Sequence, residues 1–370
     1  MLNYYVRPGA LLGLFAAMIP VWGLAQEPYE VRSIKNSESF SQAIAVNAKL
    51  EILGTREIID SGVGTVKNFF RSGETETEIG VPKGFTNIEV QALSDSSLVV
   101  GYVSRPIGSA GGSIHAFAWD GNKRNLVLLP TLPGDLSAHA QDVSADGTRV
   151  SGYSIGNNPP RMRPCVWQWN GPKETWECTV LTTIQDRNPF LQASHVIISP
   201  DGKRVAACIT EREISEFIVD SSLHVWESDS QGQWIRRKIS DEQMAIKDMN
   251  DKGDMVGSII EGVASVACRM GLDGKLEKYS PLPNDESTIA YGINNAGVIV
   301  GMSDDPHGAD GGPQAVLFQA GKTLPLPLPK DTVDSSALAI NQAGVIAGLI
   351  LRGNSESEVP SAFIAVPTAK

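Results

Sequence analysis

The feature that most constrains this sequence is a cassette that recurs along almost the whole chain. Each copy is a short apolar strand, then Asn or Ser, then turn residues that often include Gly, then a second apolar strand ending in Gly or Ala. The copies are AIAVNAKLEILG at 43, VQALSDSSLVVG at 90, AQDVSADGTRVSG at 140, HVIISPDGKRVAA at 195, IKDMNDKGDMVG at 246, YGINNAGVIVG at 291 and LAINQAGVIAG at 338. Their closing residues lie 44 to 55 residues apart, so the chain must be read as a repeat architecture.

Two further strand-like segments follow most cassettes, so that one unit predicts four short strands. The third strand is aromatic, as in IHAFAWDG at 114, and the fourth precedes proline, as in NLVLLPTLPG at 125. Alternating branched residues favour strands, and the Asn-x-x-Gly segments predict the turns between them. The sequence therefore predicts one all-β domain over residues 26–370, a seven-bladed β-propeller with four-stranded blades. The blades begin near residues 43, 90, 140, 193, 245, 289 and 337.

The two ends of the repeat region complement each other. The last unit stops after its third strand, at SAFIAVPTAK, whereas the segment YEVRSI at 29–34 precedes the first cassette without a partner. We expect this segment to be the fourth strand of the last blade. Such closure leaves no long exposed strand edge, which would otherwise favour aggregation.

The glycines of YGINNAGVIVGMS, residues 291–303, have the density of a phosphate-binding loop. A phosphate loop must lead into a helix whose N–H groups point at the anion, but Gly297 is followed by Val-Ile-Val, which predicts a strand. We expect Gly297 to allow a positive φ in a hairpin turn. Gly301 is predicted to let neighbouring sheets approach closely.

The N-terminus has the layout of a secretory signal peptide over residues 1–25. Arg7 precedes an apolar run from Ala10 to about Trp22, and small residues precede Gln26. An uncleaved membrane anchor is the alternative, but Pro20 breaks a run that is already short for a span. We expect a secreted or periplasmic protein. Its formal charge of −11 argues against nucleic acid and anionic membranes as partners.

Three segments resemble a known family. HAFAW at 115–119, VSADGTRVSGYS at 143–154 and GINNAGVIVGMS at 292–303 are similar to the probable extracellular HAF repeats of bacteria. The resemblance implies an exported, propeller-like repeat protein and brings no activity with it. SPDGKRVAA at 199–207 also resembles the repeat of Tol-type and WD-like propellers.

The candidate ligand site is the face that carries the loops between the second and third strands of each unit, because these loops vary most. Loops held by a rigid scaffold commonly carry function. The charged residues predicted to form a ligand-binding ring on this face are Arg56, Arg105, Arg161, Arg163, Glu211, Asp304, Asp305, His307 and Arg352.

No catalytic residue, cofactor or metal site is predicted. The nearest approach to a metal site is the group Asp304, Asp305 and Asp310, which lacks the spaced acids of a calcium loop. Cys165 and Cys178 flank a predicted hairpin and are a candidate disulfide in an oxidising compartment.

Histidines and tryptophans supply the remaining candidates. His139 and His195 begin two first strands near the presumed channel, where a shared role is conceivable. Five tryptophans crowd the third and fourth units, for which packing between blades is favoured over a sugar-stacking patch. They are Trp167, Trp169, Trp176, Trp226 and Trp234.

The sequence favours an exported, non-catalytic scaffold that binds a protein or glycan partner of the envelope or extracellular space through the variable loop face. The alternative is a propeller enzyme, a hydrolase or lyase that acts on extracellular glycans. Fold alone does not decide between them, because propellers host both.

Overall fold

The computed structural model describes residues 29–34, 40–60, 63–106, 113–157, 160–181, 192–212, 219–305, 312–353 and 359–368, and these are almost entirely β-strands. The predicted signal peptide lies outside them. No helix in the described ranges is long and apolar enough to span a membrane.

In chain order the strands are β1 (Tyr29–Ser33), β2 (Ser41–Val46), β3 (Ile52–Asp60), β4 (Val63–Ser72), β5 (Thr75–Ile79), β6 (Asn87–Leu93), β7 (Leu98–Ser104), β8 (Ile114–Asp120), β9 (Asn125–Leu128), β10 (Ser137–Val143), β11 (Arg149–Asn157), β12 (Pro160–Asn170), β13 (Thr175–Val180) and β14 (Gln192–Ile198). They continue as β15 (Arg204–Arg212), β16 (Val219–Ser228), β17 (Trp234–Ser240), β18 (Ala245–Met249), β19 (Met255–Glu261), β20 (Ala264–Met270), β21 (Leu276–Tyr279), β22 (Ser287–Ile293), β23 (Ile299–Asp304), β24 (Gln314–Gln319), β25 (Lys322–Pro325), β26 (Thr332–Ile340), β27 (Ile346–Arg352) and β28 (Ser361–Pro367). A single 3-10 turn, Gly171–Lys173, joins β12 to β13.

The strands form five separate four-stranded sheets and one eight-stranded sheet. The four-stranded sheets are β2–β5, β6–β9, β18–β21, β22–β25 and β26–β28 with β1. The eight-stranded sheet combines β10–β13 with β14–β17 through one parallel bridge, Met162 to Gln192, whereas the pairs within each half are antiparallel. The molecule is therefore an all-β, propeller-like protein, which confirms this part of the predicted fold class.

The N-terminal strand completes the last sheet, as the sequence predicts. β1 pairs antiparallel with β28 from Tyr29–Pro367 to Ser33–Phe363. The backbone N–H of Ile34 extends this pairing by donating to the carbonyl oxygen of Ala362 at 2.8 Å. Both ends of the described chain are thus held in one sheet.

The first strand of each unit contacts the first strand of the next. These contacts run from β2 through β6, β10, β14, β18 and β22 to β26, and β26 contacts β2. The apolar core lies in layers between neighbouring sheets. In one layer the rings of Phe70 and Trp119 meet edge to face with centroids 5.4 Å apart, and in another Ile52 packs with Ile364.

The Asn or Ser of each cassette turn is buried, and each Asn links its unit to another. The side-chain amide of Asn47 donates to the carbonyl oxygen of Ser94 at 3.0 Å, and that of Asn250 donates to Asn294 at 3.3 Å. Asn341 donates to the carbonyl oxygen of Asn47 at 2.9 Å. This last bond joins residues 294 positions apart, so it fastens the last unit to the first.

Every first strand carries a β-bulge before its turn, where one residue, or in β14 the two residues His195 and Val196, is left out of the register. The bulge in β22 bears on a glycine prediction. Gly297 has φ +84°, as expected for the turn. The prediction for Gly301 was wrong, because a Cβ there would lie 1.9 Å from the carbonyl oxygen of Ile289 in the paired strand. The close approach is within one sheet, beside its bulge, rather than between sheets.

Candidate functional site

The variable loops emerge at one end of the sheets, here called the loop end. Consecutive strands within each unit are antiparallel, so first strands begin where second strands finish. His307 and Asp310 lie outside the described residues, as does the side chain of Glu211, whose backbone belongs to β15. Three of the remaining predicted residues are arginines that form ion pairs with acids.

Three of the predicted arginines brace the loop end. Arg56 pairs with Glu76, and its guanidinium lies 4.8 Å from the centroid of the Phe69 ring. The other two pairs are Arg163 with Asp135 and Arg352 with Asp331, each at 2.6 Å. The pairs of Arg163 and Arg352 tie strand ends to the segments that enter their own units, whereas Arg56–Glu76 joins β3 to β5 within one sheet.

Arg105 differs from these three. Arg105 is exposed, and its guanidinium lies over the Phe85 ring at 5.0 Å from the centroid. Its charge therefore remains accessible to a ligand while the ring holds its position. Arg161 is half-buried.

The structure groups Asp304 and Asp305 with acids that the sequence analysis did not select. Burial raises the pKa of Asp304, and the charges of Asp285, Asp305 and Asp334 raise it further. Within the described ranges, no group of three or more His, Cys, Asp or Glu side chains is arranged to hold a metal ion.

The most structured polar cluster at the loop end is built around His139. Its ring lies between two tyrosines, with centroids 4.3 Å from Tyr102 and 4.8 Å from Tyr153, the latter stacked at 23°. The Tyr102 hydroxyl donates a hydrogen bond to the carboxylate of Glu89. We call these four residues the His139 cluster. It spans the junction between the β6–β9 sheet and the strands β10 and β11.

Burial sets the charge state of the His139 cluster. It lowers the pKa of His139, although the charge of Glu89 opposes this effect, and it raises the pKa of Tyr153. The pKa of Tyr102 is raised by burial and by its hydrogen bond to Glu89. At neutral pH the cluster thus presents an imidazole that can accept a proton, beside phenols that can donate one.

Sequence reasoning placed His139 near the channel but missed both tyrosines. A signal was present, because Gly-Tyr closes the second and third cassettes at Gly101–Tyr102 and Gly152–Tyr153. The glycine of each pair lies against the first strand of its own sheet: a Cβ on Gly152 would be 2.0 Å from the carbonyl oxygen of His139.

The bulges put further polar side chains on the first strands. His195 lies in the bulge of β14 with φ +51°, a left-handed conformation that is unusual for a residue other than glycine. Its Nδ1 is buried and makes no hydrogen bond within the described structure. Burial and then the charge of Lys247, the bulge residue of β18, lower the pKa of His195.

Two acids beside these bulges link neighbouring units. The carboxylate of Asp142 accepts from the backbone N–H groups of Val143 at 2.8 Å and Ile198 at 2.9 Å. Asp248 does the same with Met249 and Ile293, at 2.7 and 2.8 Å. By surface area both acids are only half-buried, but their carboxylates are enclosed, and this burial raises the pKa values to about 7 and about 8. Their hydrogen bonds assign them a structural role.

The predicted hairpin between Cys165 and Cys178 is confirmed by the pairing of β12 with β13. The cysteines are diagonal neighbours, since Cys165 lies opposite Val180 and Cys178 opposite Trp167. Both are free thiols in this structure, so the disulfide stays a prediction. Burial, and then a hydrogen bond with Cys178, raise the pKa of Cys165.

Four of the five tryptophans fall into two groups. Trp167 and Trp226 are completely buried, which agrees with packing between sheets. Trp169 and Trp176 lie at the surface beside the β12–β13 turn, with ring centroids 5.5 Å apart.

Comparisons with known proteins identify the fold alone. No family model and no curated protein matches the chain. The β-propeller domain of the Trilobed protease from Pyrococcus furiosus is 11% identical with a TM-score of 0.54, over 90% of this chain and 95% of that one. The polysaccharide lyase Uly1 is 10% identical with a TM-score of 0.51, over 94% of this chain and 91% of that one.

A puromycin-hydrolyzing peptidase of Mycobacterium tuberculosis is 12% identical with a TM-score of 0.54, over 93% of this chain. This chain spans about half the length of that peptidase, 55%, and 54% of TolB from Acinetobacter baumannii. The Trilobed protease domain, Uly1 and the peptidase are only 10 to 12% identical to this chain, so the likeness to them shows the fold alone.

Proposed function

We propose that the protein is a closed ring of seven four-stranded blades. In this reading the eight-stranded sheet is two blades, because a single bridge joins its halves. The cyclic contacts among the first strands support this count. The bond from Asn341 to Asn47 supports closure between the last blade and the first.

We propose that this ring is an exported binding scaffold of the HAF-repeat type, which recognises a protein or glycan partner at its loop end. The proposed export and family rest on the N-terminal sequence and on the repeat motifs. The observation that carries the binding role is that the loop end has two sets of side chains, one that stabilises its rim and one that is available to a ligand. Ion pairs such as Arg163–Asp135 hold the rim, while the charge of Arg105 and the half-buried rings of Tyr102 and His139 remain for recognition, with the buried Tyr153 ring supporting His139 from below.

The experiment is capture of a partner by the immobilised mature chain, residues 26–370, from a native envelope extract. We expect the variants Arg105→Ala and His139→Ala to lose the partner, because they remove an accessible charge and the centre of the ring stack. Lys252→Ala is the matched control, since Lys252 is an exposed cation in the β18–β19 turn at the opposite end. Capture that is equal for all variants would refute recognition at the loop end.

A second candidate function, an enzyme acting on extracellular glycans, is favoured by the His139 cluster. A neutral imidazole beside a protonated phenol suits a lyase: His139 would take the proton next to a uronate carboxylate, and Tyr153 would protonate the departing glycosidic oxygen as the double bond forms. The solved protein Uly1 is named a polysaccharide lyase and has a similar fold.

Incubation with uronate-containing polysaccharides tests this candidate. A lyase would produce the ultraviolet absorbance of an unsaturated uronate, and His139→Ala and Tyr153→Phe would abolish it. Binding of the polysaccharide without this absorbance would leave the scaffold as the function and exclude the lyase.

A further inference from the structure

A second surface feature lies at the end opposite the variable loops. The β8–β9 hairpin and the β12–β13 hairpin enclose a groove of about 240 Å³, closed below by the β10–β11 turn at Gly147. This volume is below the roughly 300–1,000 Å³ of pockets for drug-sized ligands, so the groove suits a small ring. The residues that line it and enter the argument are Asp120, Lys123, Asn125, Val127, Trp169 and Trp176.

Two indole rings form one wall of the groove. Trp169 and Trp176 are direct partners across β12 and β13, and their rings are tilted by 59°. Trp169 keeps 38% of its surface exposed. In the described structure neither indole N–H donates a hydrogen bond, whereas the buried Trp167 Nε1 donates to the carbonyl oxygen of Pro130 at 2.6 Å. Both surface tryptophans therefore offer an apolar face together with an unused donor.

The opposite wall is polar and electrically balanced. Asp120 Oδ1 accepts from the backbone N–H groups of Asn122 and Lys123 at 2.9 and 3.1 Å, and Oδ2 lies 3.8 Å from Lys123 Nζ. The amide side chain of Asn125, directly opposite Asp120 in the hairpin, makes no hydrogen bond among the described residues. The negative charge of Asp120 and the positive charge of Lys123 cancel, so the groove does not select a charged ligand.

We propose that this groove, the Trp169–Trp176 groove, binds a pyranose ring of a neutral glycan. A pyranose has an apolar C–H face and a rim of hydroxyl groups. The indole rings and Val127 contact the face, while Asn125, Asp120 and the indole N–H groups bond to the rim. The groove is remote from the loop end, so the inference does not depend on the proposed function.

The test is migration of the mature chain in native gels that contain laminarin, galactomannan or dextran, with quenching of tryptophan fluorescence as a second readout. We expect at least one of these neutral polysaccharides to retard the protein. Trp169→Ala and Trp176→Ala should each weaken binding at least tenfold, and Asn125→Ala should weaken it less.

Trp234→Ala is the matched control, because Trp234 lies on the corresponding edge strand β17 but has the Arg149 guanidinium over its ring at 5.7 Å. Circular dichroism verifies that each variant is folded. The proposal is overturned if none of the three polysaccharides retards the protein. It is also overturned if Trp234→Ala weakens polysaccharide binding as much as Trp169→Ala does. Retention by charged polysaccharides alone, lost in His139→Ala and kept in Trp169→Ala, would also overturn it and would assign glycan binding to the loop end.

Discussion

Replacing Asn341 with alanine should destabilise the protein by about 3 kcal/mol. Its Nδ2 donates to the carbonyl oxygen of Asn47 at 2.9 Å, and its Oδ1 accepts from the backbone N–H groups of Ala343 at 3.0 Å and Val345 at 2.9 Å. Each net hydrogen bond contributes about 1 kcal/mol, and buried groups left unpaired add to the loss. Alanine removes all three bonds at once.

Asn341→Ser distinguishes the contribution of the turn hydrogen bonds from that of the hydrogen bond between units. Serine occupies the same position at Ser94 and Ser144, where its Oγ accepts from the backbone N–H groups of Leu98 at 2.9 Å and Arg149 at 3.0 Å. Serine at 341 should therefore keep a turn acceptor but not reach Asn47. We expect it to cost about 1 to 2 kcal/mol, less than alanine does.

Urea unfolding with linear extrapolation measures both variants. The slope should match that of the parent protein, because the surface exposed on unfolding does not change. A loss below about 1 kcal/mol for Asn341→Ala would show that the buried amide does not hold the ring. If both variants lose the same free energy of unfolding, the bond to Asn47 makes no separate contribution and the reasoning is refuted.

Two further predictions concern titration and oxidation. Burial raises the pKa values of Asp142 and Asp248 to about 7 and about 8, above the ordinary 3.8. Protonation of these carboxylates therefore favours the folded state. The free energy of unfolding falls as the pH rises through these values, because the carboxylates then lose their protons in the folded protein. The urea midpoint should fall between about pH 5 and pH 8.5, and the double variant D142N/D248N should flatten this dependence; an unchanged slope would contradict the burial argument. In protein exported to an oxidising compartment we expect Cys165 and Cys178 to be joined, which peptide mapping with and without reduction detects. Four alkylatable thiols in the unreduced protein would exclude the bond.

The period of the cassette made the fold class predictable from the sequence. Strand alternation and turn residues recur at each unit, so local preference and global fold agree. The pairing of Tyr29–Ser33 with β28 was predictable for a different reason: an unpaired strand at one end matched a missing strand at the other. Both inferences needed only the order of elements.

The links between units could not be predicted in the same way. Alignment of the cassettes identifies Asn47 and Asn341 as turn residues, but not that the amide of one reaches the backbone of the other. The β-bulges could not be predicted either, because an unpaired residue such as Lys247 does not interrupt the apolar sequence pattern on either side of it. Tyr102 and His139 meet across a unit boundary, so no local motif contains both.

The glycine that closes a cassette is part of the loop-end site, and Gly152→Ala tests this. A Cβ at Gly152 would lie 2.0 Å from the carbonyl oxygen of His139 and 3.0 Å from the Trp167 ring, so either β10 or the ring must shift. Overpacking of this kind costs about 1 to 3 kcal/mol and displaces the strand that carries His139. Gly297→Ala is the control, because its strain arises from a positive φ at the opposite end, where nothing lies within 4 Å. We expect Gly152→Ala to lose loop-end binding while Gly297→Ala keeps it at similar stability, whereas equal binding by both would show that His139 does not depend on this packing.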